Sequence, residues 1–283
     1  MPTERTALIT GSCSGFGLLT TVTLAQRGWR VLATMRDLTH RDRIEEATRA
    51  AGVLDRIEIH ALDVTNSDQI EALATLVAAR KIRLDAIVNN AGFALAGFAD
   101  DVSDTELRLQ FDTNFFGAVA VTRAFLPQLR RQRSGHIVMV SSISGRIGFP
   151  GVSSYCASKF ALEGWSETLR MELQPLGIQV VLIEPGAYET DIWMRNTIVA
   201  AGMSSPESPN AARIAKWRSH TKPRKPRGNP QVVADGIADI LERPKPKLRY
   251  VFGRDARIAV RARRLIPWRM LERILIKASG LGD

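Results

Sequence analysis

A short apolar run, Ala7–Thr10, passes without a spacer into Gly11, Ser12, Cys13, Ser14, Gly15, Phe16 and Gly17, and continues as an apolar helical run through Leu24. A glycine turn between a strand and a helix lets the backbone approach a pyrophosphate, while the helix N-terminus offers N–H donors and a favourable dipole. The spacing is GxxxGxG rather than the GxGxxG of many dinucleotide enzymes. Taken alone, such a turn is compatible with a purely structural role. Its place at the head of alternating strands and helices favours a nucleotide.

The same strand-then-helix unit repeats along the chain. Gly28 ends the first helix at a C′ position, and Arg30–Met35 reads as a second strand. Helical stretches over Arg41–Ala51 and near Ser67–Lys81 alternate with strands at Ile57–Leu62 and Leu84–Val88. Ser103 and Glu106 form a capping box for a long helix that carries Asn114 and runs towards Arg131, with Pro127 expected to end or kink it early. Further strands are expected at His136–Ser141, at Ile178–Glu184 and around Val251 and Phe252. Alternation of this kind implies an α/β fold: a Rossmann-type doubly wound parallel sheet of about seven strands, helices on both faces, and ligands outside the carboxyl ends of the strands. At 283 residues the length suits one such domain, spanning 1–254, followed by a basic extension over 255–283.

Chemistry enters at Tyr155 and Lys159, which share a helix face at i and i+4, with Ser142 thirteen positions upstream of the tyrosine. A free phenol titrates near ~10, too high for a base at neutral pH. A neighbouring ammonium favours the phenolate and lowers that value, so Tyr155 is expected to exchange a proton with a substrate oxygen near neutrality. Ser142, at the end of a strand, is placed to hold the same oxygen.

Together these motifs resemble the short-chain dehydrogenase/reductase family over roughly Ala7 to Phe252. The elements that carry the likeness are TGSCSGFG at Thr10–Gly17, Asp63, NNAG at Asn89–Gly92, Asn114, Ser142, Tyr155 with Lys159, and PGAYET at Pro185–Thr190. The resemblance implies a catalytic tetrad of Asn114, Ser142, Tyr155 and Lys159. In it Tyr155 is the acid/base, Ser142 orients the substrate oxygen, Lys159 also grips the nicotinamide ribose, and Asn114 holds a water linking Lys159 to solvent. It further implies cofactor contacts from Gly11, Ser14, Gly15, Phe16, Gly17, Asp63, Val64, Asn90, Gly92, Tyr155, Lys159, Pro185, Gly186, Tyr188 and Thr190. A homodimer or homotetramer through the Asn114 and Tyr155 helices is implied by analogy. More loosely, the ATMRD run and the basic tail resemble the 17β-hydroxysteroid and retinol dehydrogenase branch.

The end of the second strand bears on cofactor choice. An acidic side chain there would accept the ribose 2′-hydroxyl. This chain has Met35 at that position, with Arg36 and then Asp37 after it. A guanidinium suits a 2′-phosphate, so NADP is expected, with NAD as the alternative should Asp37 turn inward. Ser14 stands where many NADP-using relatives carry a second basic residue.

Charge is unevenly distributed. Residues 213–283 hold 19 lysines and arginines against 6 acidic residues, a net +13, whereas residues 1–212 carry a net −3. Lys222–Arg227 reads KPRKPR, and Arg257–Lys277 interleaves arginines with Leu265, Ile266, Trp268, Leu271 and Leu275, broken by Pro267. A basic amphipathic tail with tryptophan fits an anionic membrane surface, or its apolar side packs on the domain and the arginines face water. No nucleic-acid motif accompanies the charge. No apolar run approaches the ~20 residues of a membrane span, and MPTERTALIT lacks a signal-peptide core, so a cytoplasmic protein, peripheral on the inner membrane face if the tail binds lipid, is expected. Cys13 and Cys156 give no disulfide framework, and the four scattered histidines suggest no metal site.

In this family the segment after the sixth strand is a variable substrate lid, here 187–229. Trp193, with Phe93 and Phe149 from other loops and Ser142 beneath, is expected to contact substrate. Apolar walls favour a lipophilic alcohol or carbonyl. The expected activity is therefore NADP(H)-dependent interconversion of such an alcohol, of steroid, retinoid or long-chain type, with its carbonyl. A protein that binds cofactor for regulation or interaction, using the basic tail, is the alternative from another class.

Overall fold

The structure is a computed structural model that describes residues 4–193, 197–221 and 227–282. Strands β1 (Thr6–Ile9), β2 (Arg30–Met35), β3 (Ile57–Ala61), β4 (Ala86–Asn89), β6 (Gly135–Val140), β7 (Ile178–Pro185) and β9 (Arg249–Phe252) form a seven-stranded sheet in the order β3-β2-β1-β4-β6-β7-β9. Every pairing in it is parallel. The central strands are apolar along their whole length because both faces are covered. On one face Ile9, Val31, Val88, Val138 and Ile183 pack with α1 (Gly15–Gln26), α2 (Asp42–Ala50) and α8 (Gln231–Leu241). On the other, Leu8, Ile87, Ile137 and Leu182 pack with α3 (Ser67–Ala79), α5 (Gly117–Gln132) and α6 (Ser153–Leu173). The expected α/β fold and the order of its units are both present.

Three local differences matter for the site. The capping box at Ser103 forms, but the helix after it is not uniform. α4 (Asp104–Phe111) passes through a π-helical turn, Asp112–Phe116, before α5 begins. That widened turn carries Asn114. Pro127 neither ends nor splits α5, which runs on to Gln132. Pro127 lies on the exposed side, where water can satisfy the carbonyl that lost its N–H partner. Finally, β5 (Ala94–Ala96) pairs with β8 (Thr197–Val199) in a small parallel sheet. Three-residue strands leave little periodicity to read.

Within the expected 187–229 segment, β8 is followed by α7 (Ala211–Thr221). The tail forms two helices, α9 (Arg254–Leu265) and α10 (Trp268–Ala278), separated at Pro267. It is packed onto the domain. Ala256 and Leu271 are buried, the Asp255 carboxylate accepts from the Ala187 N–H at 2.7 Å, and Leu281 joins a cluster with Phe93 and Trp217.

Candidate active site

β1 and β4 end side by side, with β2 and β3 on one side and β6, β7 and β9 on the other, so the crevice lies where the strand order reverses. Thr10 locks the two ends together. Its hydroxyl accepts from the N–H groups of Asn90 and Ala91, both at 3.0 Å, and the Asn90 side-chain amide donates to the carbonyls of Thr10 and Gly11 at 2.9 and 3.0 Å. Gly11 has φ +69°, and a side chain there would lie 2.9 Å from the Ala91 Cα; a Cβ on Gly17 would collide with the Gly11 carbonyl oxygen. Ser14 occupies the N-cap of α1 without using its side chain, and no acidic residue lies in the first turn. The leading N–H groups and the positive end of the helix dipole are thus left for an anion. This cradle fits the pyrophosphate of a dinucleotide.

The loop after β7 closes over the turn. Pro185 ends the strand, and the Gly186 N–H donates to the Phe252 carbonyl at 2.9 Å. Thr190 is buried, with its Cβ 3.5 Å from where a side chain on Gly15 would begin. Tyr188 packs edge-on to Phe16 with ring centroids 5.7 Å apart and lies in the core. Phe16 and Tyr188 therefore hold the loop against the glycine turn by packing.

At the ribose end, Met35 is buried and Arg36 is exposed, with no ion pair to a carboxylate among the described residues. Asp37 does not turn inward. Its carboxylate accepts from the Thr39 N–H at 2.9 Å and hydroxyl at 2.7 Å, bonds that hold its pKa below the ordinary value. Asp63 is engaged similarly with the N–H and hydroxyl of Thr65, at 2.9 and 2.7 Å, and Val64 packs beside Gly117, whose missing side chain makes room for it.

The four residues of the expected tetrad converge from three elements. Ser142 follows β6, Tyr155 and Lys159 lie one turn apart on α6, and Asn114 sits in the π turn; all four are buried. Tyr155 hydrogen-bonds the Ser142 side chain, whose oxygen also accepts from the Ser144 N–H at 3.1 Å. The Lys159 ammonium donates to the Val140 carbonyl at 2.8 Å and lies 5.8 Å from the Tyr155 ring centre. Asn114 donates from Nδ2 to the Phe93 carbonyl at 2.9 Å and the Ser158 hydroxyl at 3.3 Å, and accepts at Oδ1 from the Phe93 N–H at 3.0 Å. Gly92 allows this approach, since a Cβ there would lie 2.9 Å from Asn114 Oδ1.

One expectation is corrected in this chain. Burial, with a smaller contribution from Cys156, pushes the Tyr155 phenol up to about 12, the Ser142 hydrogen bond offsetting only part of the rise. Burial likewise brings the Lys159 ammonium down to about 8, against the pull of Glu163. At neutral pH Tyr155 therefore rests protonated, as an acid ready to donate.

Two features escaped the sequence. Behind Lys159 is a charge cluster built on two buried carboxylates: Glu163, one turn along α6, meets Arg249 at 3.0 Å; Arg249 reaches exposed Glu167 at 2.6 Å and buried Glu184 at 3.2 Å; and Arg146 reaches Glu184 at 2.9 Å. Burial and the nearby Glu184 raise Glu163 to about 7. A glutamate at i+4 from the lysine was the available signal, but its partners come from β7 and β9. The other feature is Trp217, whose indole N–H donates to the Pro150 carbonyl at 2.9 Å and whose ring covers Gly151 (φ +79°). It joins Phe149, Ile192, Val152 and Tyr155 in one apolar cluster. Phe93 and Phe149 are half-buried beside the tetrad as expected; the Trp193 side chain and residues 222–226 of the KPRKPR run lie outside the described residues. Cys156 is buried, its thiol pushed up by desolvation, in keeping with a space-filling role. Among the described residues no cluster of histidine, cysteine and carboxylate side chains could hold a metal ion.

A family profile described as short chain dehydrogenase matches residues 5–198. The chain belongs to the short-chain dehydrogenase/reductase family. It is 42% identical to the uncharacterized oxidoreductase YusZ of Bacillus subtilis, over 97% of this chain and 98% of the relative. To human 17-beta-hydroxysteroid dehydrogenase type 1 it is 36% identical over 86% of this chain and 76% of the relative. A metagenomic short-chain oxidoreductase solved in complex with NADP superposes with a TM-score of 0.69 at 26% identity, covering 88% of this chain and 96% of that one. Membership makes the chain an oxidoreductase that uses NAD(P).

Proposed function

We propose that this protein is an NADP(H)-dependent oxidoreductase that interconverts a lipophilic alcohol and its carbonyl, of steroid, retinoid or long-chain type. The observation that carries this reading is the buried Ser142–Tyr155–Lys159 group, walled by Phe93, Phe149, Ile192 and Trp217. The nicotinamide, when bound, supplies or receives the hydride. Ser142 orients the substrate oxygen by hydrogen bonding, and Tyr155, protonated at rest, donates its proton to that oxygen during reduction. The Lys159 ammonium, near enough to attract the developing phenolate, lowers the cost of that transfer. Asn114, tied to the Phe93 backbone and to Ser158, fixes the floor of the site.

Arg36, exposed and outside any ion pair among the described residues, supports NADP, as does the NADP complex of a structural relative. NAD is the weaker reading because Asp37 is occupied by Thr39. The name of the human relative, a hydroxysteroid dehydrogenase, supports the lipophilic class. A purely regulatory protein would not need all four tetrad residues buried together. Exposed Phe116, Phe160 and Met171, in the π turn and on α6, support a homodimer or homotetramer through those elements.

A panel of steroid, retinoid and long-chain carbonyls, assayed with NADPH and NADH, tests the reading. Tyr155→Phe keeps the ring and removes the acid, so turnover should drop about 10²–10⁴-fold while NADPH binding persists. Near-normal turnover in that variant overturns the assignment.

A further inference from the structure

The tail has two dissimilar sides. Its inner side is structural: Leu271 is 4% exposed, Ser279 is buried, Gly280 backs onto His220 of α7, and Leu281 packs against the cluster of Leu95, Phe98 and Met203. Its outer side is bare. On α9, Ile258 and Leu265 (77% exposed) stand seven residues apart on the face that also carries Arg254 and Arg261. On α10, Met270 (57% exposed) and Ile274 share a face with Arg273 and Lys277. At the Pro267 corner, half-exposed Trp268 carries the Arg263 guanidinium 5.3 Å from its ring centre.

The cations of this surface are unmatched. Among the described residues, none of Arg254, Arg257, Arg261, Arg263, Arg264, Arg269, Arg273 and Lys277 forms an ion pair. Two acidic residues lie in the same stretch, and one, Asp255, faces inward to the Ala187 N–H.

We infer that the outer face of α9–α10 docks on an anionic lipid bilayer, with Leu265, Trp268, Met270 and Ile274 entering the interface and the arginines meeting lipid phosphates. Charge selects this occupant. A second copy joined through the same face would set these cations against their own images, which is repulsive. A nucleic acid would meet the arginines but leave the four large apolar side chains in water, whereas a bilayer surface accepts both. Because Leu281 packs on the same buried cluster as Phe93 and Trp217, the end of the tail is anchored next to residues that wall the proposed substrate site. The inference that lipophilic substrate arrives from that bilayer rests on the function proposed above; the docking surface does not.

Co-sedimentation of the whole protein with vesicles of phosphatidylglycerol and phosphatidylcholine is the test, and it needs no turnover. Binding should appear at low salt, weaken as salt rises because charges are screened within about 8–10 Å at physiological ionic strength, and be absent with phosphatidylcholine alone. Each cation near an anionic surface raises partitioning about fivefold. Reversing Arg263, Arg264 and Arg269 to glutamate should therefore lower it at least a hundredfold, by order of magnitude. Leu265→Ser with Met270→Ser, which keeps every charge, should weaken binding as well, and Trp268 emission should shift to the blue on docking in the wild type only. No binding to anionic vesicles at low salt overturns the proposal. So does loss of an oligomer in the Leu265/Met270 variant without vesicle binding in the parent, or equal binding to duplex DNA that survives that variant. If vesicles bind but no lipophilic carbonyl is turned over, the surface stands and the substrate reading falls.

Discussion

The two ends of this chain handle charge in opposite ways. From Arg27 to Arg249, arginines are repeatedly matched: Arg27 to Asp239, Arg43 to Asp191, Arg80 to Glu58, and Arg146 and Arg249 to the buried Glu184. Beyond Gly253 the matching stops among the described residues, although cations become denser. Pairs at the surface, such as Arg27–Asp239 and Arg80–Glu58, contribute little to stability, so for them the contrast is not about how the fold is held. A charge with a partner inside the molecule has its role assigned there. A dense set of charges without ion-pair partners, set among bare apolar side chains, points outward.

That contrast says the tail is held by its apolar inner side and not by its arginines. Leu271 is the sharpest place to break it. Leu271→Ala removes a buried side chain from α10 and should cost about 2–5 kcal/mol, read as a lower denaturation midpoint. Arg264→Glu in the same helix pair should stay within about 0.5 kcal/mol. If the charge reversal destabilises as much as the cavity, the arginines are structural and the two regions are alike.

Arg36 sharpens the comparison from within the body, because it too lacks an ion pair among the described residues while its neighbour Asp37 is tied to Thr39. If that freedom serves a 2′-phosphate, Arg36→Ala forfeits hydrogen bonds to a charged group, on the order of 1.5–3 kcal/mol. The ratio of kcat/KM for NADPH over NADH should then fall by roughly one to two decades. Equal losses with both cofactors, or a wild type that already favours NADH, would remove Arg36 as the phosphate reader.

How much of this is open to a reader of the sequence depends on how local each cause is. The strand–glycine–helix unit, the capping box at Ser103 and the Tyr155–Lys159 turn are set within a few residues, and each is present in the structure. The π turn is not legible, since nothing in DTNFF distinguishes one extra residue per turn from ordinary helix. Trp217 escapes for a different reason: its partners, Pro150 and Gly151, are over sixty residues away. The phenol value is misjudged from sequence because the spacing places a cation beside Tyr155 but cannot show how deeply both are buried. The tail is legible as amphipathic and basic. Which side faces the domain needs Leu271 and Leu281 in place.

The smallest expected effect lies at Glu163, a buried carboxylate whose charge is matched rather than free. Lys159 stands one turn before it on α6, Arg249 and Glu184 face it from β9 and β7, and Arg146 and Glu167 complete the cluster through those two. Its carboxyl is raised from 4.5 to about 7 by burial and by Glu184. A folded-state value above the unfolded one means that the native protein holds a proton the unfolded chain has released. Glu163 therefore contributes stability that is present below about 4.5 and is lost as pH rises through about 7. Glu163→Gln cannot titrate, so its denaturation midpoint should vary less across that window than the wild type's. The same carboxylate supports the charged form of Lys159. Without it the ammonium should deprotonate at lower pH, moving the alkaline limb of the kcat profile downward while the KM for carbonyl substrate stays put. A merely structural glutamate would lower the midpoint at every pH and leave that limb where it was; that result would separate the charge cluster from the chemistry of Tyr155.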